Sequence, residues 1–263
     1  MSELPNITRV RHEVRLRRTT VVDTEMVAPQ LKRIVVKSDD LKGFTSLGFD
    51  DHVKLFFPNA AGELHLSLPG TEGAPEKIMR DFTPRRFDSD AGELTLEFFI
   101  HEDGPATTWA TNATKGSELG VGGPRGSAVI STEGIDTHLL IGDETALPAV
   151  ARRLEELPAQ TRAIVVAEVE QGFELPLSSR ANLQVVWANR TGAASGPGEH
   201  LIAALRKLTL NKERCFAWAA TETHAVRAIR RYLVEERGFD KRWVKAAGYW
   251  QRGAVGEHVV VDD

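Results

Sequence analysis

Apolar and polar positions alternate with a period of two through much of the first half of the chain. In Leu94-Thr95-Leu96-Glu97-Phe98-Phe99-Ile100 the residues Leu94, Leu96, Phe98 and Ile100 fall on one face, as a half-buried strand requires. Arg33-Ile34-Val35-Val36 and Val53-Lys54-Leu55-Phe56-Phe57 are β-prone runs bounded by Gly, Pro and Asp, and Glu118-Leu119-Gly120-Val121 adds another. Several short strands at close spacing predict an antiparallel barrel. Residues 59–76 are polar and rich in Gly and Pro, which predicts a loop, and a helix is expected to begin at Ala106.

From about Gly134 the rhythm changes to strands alternating with helices, the pattern of a parallel α/β sheet. Strands are predicted at His138-Leu139-Leu140-Ile141, Ala163-Ile164-Val165-Val166-Ala167, Leu183-Gln184-Val185-Val186-Trp187 and Cys215-Phe216-Ala217-Trp218-Ala219. Residues 243–250 are expected to form the last one. Residues 146–157 read as a helix, Leu201, Leu205 and Leu208 mark a second helical face, and Val226, Ile229 and Leu233 a third. The expected division is a barrel over residues 1–133 and a nucleotide-type sheet over 134–263, although a single large barrel is also compatible with 263 residues. A sheet of this kind binds ligands at the carboxyl ends of its strands.

Composition narrows the function classes. A net charge of −4 gives no reason to expect a nucleic acid or a membrane as partner, so an anion site must be a local basic pocket. The basic stretch from Arg9 to Arg18 includes Glu13 and reads as a solvated strand. There is no apolar run long enough to cross a bilayer and no signal-peptide layout, so a cytoplasmic location is expected. Cys215 is the single cysteine, which excludes an intrachain disulfide and a thiolate-held cluster and suggests an inert core thiol. The eight histidines show no metal-ligand spacing. The Gly-rich loop at residues 192–198 lacks GxGxxG spacing and reads as a connector.

Candidate chemistry concentrates between Arg80 and Arg125. A flavin dinucleotide needs a cation and N–H groups for its pyrophosphate, a flat apolar partner for its ring, and donors for N5 and the carbonyl edge. Arg80, Phe82 and Thr83 supply a cation, a ring and a hydroxyl on one short segment. On an extended chain Arg80 and Phe82 share one face, with Thr83 on the other. The turn after His101, through Gly104-Pro105-Ala106, leads into a helix whose first amides suit a phosphate.

With these segments in order, the chain resembles the siderophore-interacting protein family, flavin-dependent ferric-siderophore reductases distantly related to ferredoxin–NADP reductases. The resemblance rests on Asp51-His52-Val53-Lys54-Leu55, Arg80-Asp81-Phe82-Thr83-Pro84-Arg85, Phe98-Phe99-Ile100-His101, Gly104-Pro105-Ala106 and Gly123-Pro124-Arg125-Gly126. Gly142-Asp143-Glu144-Thr145-Ala146-Leu147-Pro148-Ala149 and Gly248-Tyr249-Trp250 extend it over nearly the whole chain. It implies a Greek-key FAD-binding barrel followed by an NAD(P)H-binding α/β domain.

The resemblance further implies that Arg80 pairs with the FAD phosphate, Phe82 lies against the isoalloxazine and Thr83 reaches the N5 edge. Ile100, His101, Gly104, Ala106, Thr107 and Thr108 would line the pyrophosphate and ribose, with Asp143, Thr145 and Ala146 closing over the dinucleotide. Lys54, Arg125 and Lys245 would form one basic cluster for the anionic ferric siderophore, although Lys54 and Lys245 also read as solvated strand residues. Glu222 and Arg190 would meet NADPH or NADH; Arg190 suits a 2′-phosphate, whereas Glu168 suits a ribose hydroxyl. Two positions depart from the family pattern: Phe82 is usually Tyr, and Thr221 is commonly Gly, so its side chain would crowd the nicotinamide nucleotide. The implied activity is hydride transfer from NAD(P)H to FAD, then single electrons to Fe(III), with no side-chain acid, base or resident metal and a monomeric protein. A general flavin or ferric-chelate reductase, and a flavoprotein that only carries iron chelates, are the alternatives.

Overall fold

The computed structural model describes residues 4–67, 77–101, 104–191, 196–253 and 259–260. The chain divides into two units, Thr8–Val129 and Ile130–Asp263 with Met1–Ile7. Up to residue 130 the elements are β1 (Ile7–Arg11), β2 (Leu16–Ala28), β3 (Leu31–Lys37), β4 (Val53–Phe57), β5 (Ile78–Phe82), β6 (Arg86–Asp88), β7 (Glu93–Phe99), α1 (Pro105–Asn112), β8 (Glu118–Gly122) and β9 (Gly126–Ile130).

Seven of these strands form one antiparallel sheet in the order β5-β4-β8-β2-β3-β7-β6, while β1 and β9 make a separate ribbon. Strand β8 returns to lie between β4 and β2, the long-return connection of a Greek key. The sheet rolls on itself. Phe82, on the β5 edge, packs against Phe98 of β7 with ring centroids 4.4 Å apart, although four strands lie between them in the sheet order. Leu94, Leu96 and Phe98 are buried on alternate positions, and they join Leu55, Leu119 and Val121 in the interior.

Helix α1 closes one end of this barrel. Its Trp109 packs against Phe57 and Phe98 at 5.6 and 5.5 Å between ring centroids, and its Ala110 is fully buried. Pro105 stands in the first turn, where a missing N–H costs nothing.

The second unit contains β10 (Thr137–Asp143), α2 (Leu147–Glu156), β11 (Arg162–Glu170), β12 (Asn182–Arg190), α3 (Glu199–Arg206), β13 (Cys215–Glu222), α4 (Thr223–Arg231), β14 (Val244–Trp250) and β15 (Val259–Val260). The sheet order is β12-β11-β10-β13-β14-β15, parallel throughout except for β15. Residues 243–250 were expected to end the sheet; instead β15 adds a short antiparallel edge beside Ala247 and Gly248. Two residues carry no periodicity, so nothing in the pattern announces that strand.

Both faces of the parallel sheet are buried, which is why its strands read as continuous apolar runs. Leu139, Ile141, Ile164 and Val166 pack beneath α3 and α4 through Leu201, Leu205, Val226 and Ile229. Leu147, Val150 and Leu154 of α2 are buried outside that cluster, against β10 and β11. The connections leaving the adjacent strands β10 and β13 therefore go to opposite faces. Such a switch point opens a crevice at the carboxyl ends of the two strands. Gly142 lies there because a Cβ would come within 2.4 Å of the Ala146 Cβ and 2.7 Å of the Ala220 carbonyl oxygen.

Candidate functional site

In the barrel unit the strongest feature is Arg80. Its register partner on β4 is Leu55, which is fully buried, so the guanidinium rises from the core-facing side of β5. Among the described residues its one hydrogen bond goes to the Met79 carbonyl, at 2.7 Å, and no carboxylate answers its charge. Burial alone draws its pKa below the ordinary arginine value. Phe82 projects to the same face and Asp81 to the other, as the alternation predicts. The Phe82 ring is half-buried between core and surface, held by Phe98 and edge-on to Phe57 at 6.5 Å. Thr83 is buried at the end of the strand.

The two ends of α1 are unequal. At the carboxyl end, the Lys32 ammonium donates to the carbonyls of Ala110, Thr111 and Ala113 at 2.8, 3.3 and 3.1 Å. At the amino end, the Gly104 cap has φ +152°, a glycine conformation, with no side-chain cap and no acid in the first turn. Thr108 N–H donates to the Gly104 carbonyl at 2.8 Å, which leaves the amides of Ala106 and Thr107 ahead of the helical ladder. Thr107 is buried, Thr108 and His101 are exposed, and Ile100 packs on the core while its N–H donates to Gln30. Residues 102–103 lie outside the described chain. Among the described residues, a partly buried cation without an acid and a helix N-terminus without a side-chain cap are the donor set that a pyrophosphate fits.

The residues expected to form the basic cluster differ in their surroundings within each unit. Lys54, paired in register with Asp81, donates to both carboxylate oxygens at 2.9 and 3.0 Å, so its charge is already met. Its other neighbour is Gly122, three residues before the exposed Arg125. The Arg17 guanidinium, buried and without a carboxylate contact among the described residues, steadies that turn by donating to the Gly123 carbonyl at 2.8 Å. It also donates to the carbonyls of Asp40 and Arg15 and lies over the Phe44 ring. Lys245 is the second residue of β14, beside Trp218, near the amino end of that strand. In a parallel sheet the ligand end is the other one, where Arg252 stands exposed two residues past Trp250. Lys245 thus stands at the opposite end of β14 from Arg252, a point that spacing alone does not carry.

At the ligand end of the second unit a buried carboxylate gathers four donors. Asp143, 4% exposed, accepts from the backbone N–H and hydroxyl of Thr145 on Oδ1, at 2.9 and 2.5 Å. On Oδ2 it accepts from the Thr221 hydroxyl at 2.6 Å and the Trp250 indole N–H at 2.8 Å. Asp143 and Thr145, expected to close over the dinucleotide, also hold the ends of β10, β13 and β14 together. Ala146 is fully buried beside them. Thr221, expected to crowd the nucleotide, folds its hydroxyl onto Asp143.

Glu222 and Arg190 also have structural tasks. Glu222 caps α4, accepting from His224 and Ala225 N–H at 2.7 and 3.0 Å through one oxygen, while its other oxygen is buried without a hydrogen-bond partner among the described residues. Arg190 donates to Glu144 and lies 3.8 Å from Glu168, so its charge is engaged rather than open to a 2′-phosphate. Burial opposes the Arg190 charge, but the hydrogen bond to Glu144 and the fields of Glu144, Glu168 and Asp143 outweigh it and raise its pKa. Burial raises the Glu144 and Glu168 carboxyls, against the opposing effect of Arg190.

Two other constellations are structural. Ser127 donates to Asp51 at 2.5 Å and meets His12 Nε2 at 2.8 Å, so the acid holds the serine rather than the histidine. That wiring does not make a nucleophile. Burial pushes the Cys215 thiol up to about 12, which makes it inert. Among the described residues no group of three or more His, Cys, Asp or Glu side chains is placed to hold a metal, and no helix is long and apolar enough to cross a membrane.

Comparison with known proteins follows the same division. Residues 20–128 match the siderophore-interacting FAD-binding domain, and residues 135–253 match the siderophore-interacting protein model. The chain belongs to the siderophore-interacting protein family. It is 34% identical over 252 residues to the NADPH-dependent ferric-chelate reductase of Escherichia coli, covering 92% of this chain and 95% of that one. It is 32% identical to the ferric vibriobactin reductase of Vibrio cholerae, over 92% and 94% of the two chains. A siderophore utilization protein from T. fusca superposes with a TM-score of 0.86 at 38% identity, covering 96% and 98%. A flavohemoglobin from Malassezia yamatoensis, at 16% identity over 90% of this chain and 60% of that one, has a TM-score of 0.64 and shares the fold.

Proposed function

We propose that this chain is an FAD-dependent reductase that takes a hydride from NADH or NADPH and delivers single electrons to the Fe(III) of a bound anionic siderophore, releasing Fe(II). The observation that carries the reading is Arg80, a cation on the core-facing side of β5 with no acid among the described residues to answer it. Its guanidinium and the Ala106 and Thr107 amides would hold the pyrophosphate of FAD, Phe82 would supply an apolar partner for the ring, and Thr83 and Thr108 would contribute hydroxyls. FAD, when bound, supplies the conversion between two-electron hydride transfer and one-electron reduction. Each hydride carries two electrons, so one NAD(P)H reduces two Fe(III) and releases one proton. The protein contributes position and field. Fe(II) binds hard oxygen donors less tightly than Fe(III), so reduction itself loosens the chelate.

Anaerobic addition of NADH or NADPH to the yellow protein tests the activity: the flavin absorbance should bleach, and a ferric siderophore should restore it while an Fe(II) chelator colours. Protein that takes up no FAD overturns the cofactor reading, and protein that stays yellow with both donors overturns the reductase reading. Arg80→Ala should weaken FAD retention about tenfold to a hundredfold, the loss of a charge-assisted contact of roughly 1.5–3 kcal/mol. Phe82→Tyr should keep the cofactor.

The pairing of Lys54 with Asp81 ranks the barrel's anion contacts. Arg125→Ala should weaken ferric-chelate binding about tenfold, and Lys54→Ala less, because Asp81 already offsets that cation. Asp81→Asn should tighten binding by releasing Lys54. Fluorescence quenching titrations at two salt concentrations read all three, and affinity should fall as screening increases. Equal losses for the two cation variants would contradict the ranking.

A further inference from the structure

We propose that the carboxyl ends of β10, β11 and β12 select a reduced nicotinamide nucleotide with unphosphorylated adenosine ribose, so that NADH is the preferred donor. The proposal deepens the reductase reading above and rests on it for the reaction, but the selection is a property of three side chains. Glu168 on β11 stands in register between Asp143 of β10 and Ala188 of β12, and Arg190 lies two residues further along β12. Arg190 turns back across β11 to donate to Glu144, whose carboxylate also accepts the Glu170 N–H at 2.9 Å. Glu144 is almost fully buried, with 4% of its side chain exposed, whereas Glu168 keeps 17% and Arg190 33%.

The chemistry at this edge favours a diol over a phosphate. Asp143, Glu144 and Glu168 carry three formal negative charges against one on Arg190, a local balance of two negative charges. A ribose 2′-hydroxyl can donate to a carboxylate, and the end of the second strand of a parallel sheet is where an acid meets that hydroxyl. A 2′-phosphate is mostly dianionic at neutral pH and has only acceptors to offer there. It would meet two carboxylates, with the Arg190 guanidinium already bonded to the more buried of them. His200 also acts on Glu168, favouring its charged form. The E. coli relative is named for NADPH, so this donor preference is proposed as a difference between the two chains.

Binding of nucleotide fragments tests the site without turnover. The flavin-loaded protein is titrated calorimetrically with ADP-ribose and with its 2′-phosphorylated analogue. ADP-ribose should bind at least tenfold more tightly, and Glu168→Gln, which keeps the shape and removes a charge, should shrink that ratio at least threefold. Circular dichroism confirms that the variant is folded. A 2′-phosphate analogue that binds equally well or better, no binding of either fragment, or an unchanged ratio in the folded variant overturns the proposal. The reductase reading is judged separately by whether either NADH or NADPH bleaches the flavin, so each can fail without the other.

Discussion

Asp143→Ala is expected to destabilise the second unit by about 3 kcal/mol, because the substitution strands one buried and three part-buried donors at once. The carboxylate binds Thr145, Thr221 and Trp250, which come from the turn after β10 and from the ends of β13 and β14. Removing it leaves the Thr221 hydroxyl and the Trp250 indole N–H without their acceptor. Asp143→Asn keeps an acceptor on one side and turns an amide NH2 toward donors on the other, so a smaller but clear loss is expected. Four of the five tryptophans, Trp187, Trp218, Trp243 and Trp250, lie in this unit, so their fluorescence follows its urea unfolding. Asp143→Ala combined with Trp250→Phe should cost less than the sum of the two single changes, since they share one hydrogen bond. A loss below about 1 kcal/mol for Asp143→Ala would mean that water replaces the carboxylate and that the network does not hold the strand ends.

The two architectures were legible because their periodicities differ. Leu94, Leu96 and Phe98 alternate as a strand buried on one face should, and all three are interior. Val226, Ile229 and Leu233 repeat as a helix buried on one side should, and they are fully buried, with α4 continuing through a π-helical turn at Tyr232–Glu236. The 13-residue strand β2 was hidden because its exposed Arg18 and Thr20 dominate its appearance, while Arg17 and Thr19 are buried polar groups rather than an apolar face. The loop predicted at residues 59–76 and the connector at 192–198 lie partly outside the described residues, at 68–76 and 192–195.

The candidate site was legible as a set of residue types, but not as a set of charges. Arg80, Lys54 and Arg190 look alike along the chain. What separates them is the register partner or neighbour: Leu55 leaves Arg80 unanswered, Asp81 answers Lys54, and Glu144 engages Arg190. Pairing across strands far apart in the sequence decides which cation remains available. The same reason places Arg252 rather than Lys245 at the ligand end of β14, since position along a parallel strand matters as much as residue type.

The second large effect concerns acid stability and comes from His138, a residue that the apolar run Leu139-Leu140-Ile141 disguised as the plain start of a strand. Its ring is fully buried on β10 beside Phe216, at 6.1 Å between ring centroids, and neither ring nitrogen has a hydrogen-bond partner among the described residues. Burial, aided by the Arg153 charge, lowers its pKa from 6.5 to about 3. The native state therefore holds it neutral, whereas the unfolded chain protonates it as pH drops below 6.5. A depressed native pKa means that this contribution is fully present above the unfolded value and is lost as pH falls toward the folded one. At pH 4 the loss amounts to about 3 kcal/mol, from roughly 1.4 kcal/mol per pH unit across the window, a large part of the stability of an ordinary domain. His138→Leu removes the titrating group while keeping an apolar side chain of similar size. Urea unfolding of both proteins between pH 7 and pH 4 should show wild type losing about 3 kcal/mol more than the variant, because other carboxylates and histidines titrate alike in the two. Parallel pH profiles would show that the His138 ring is hydrated or charged in the native state, and that its burial does not set the acid limit of the fold.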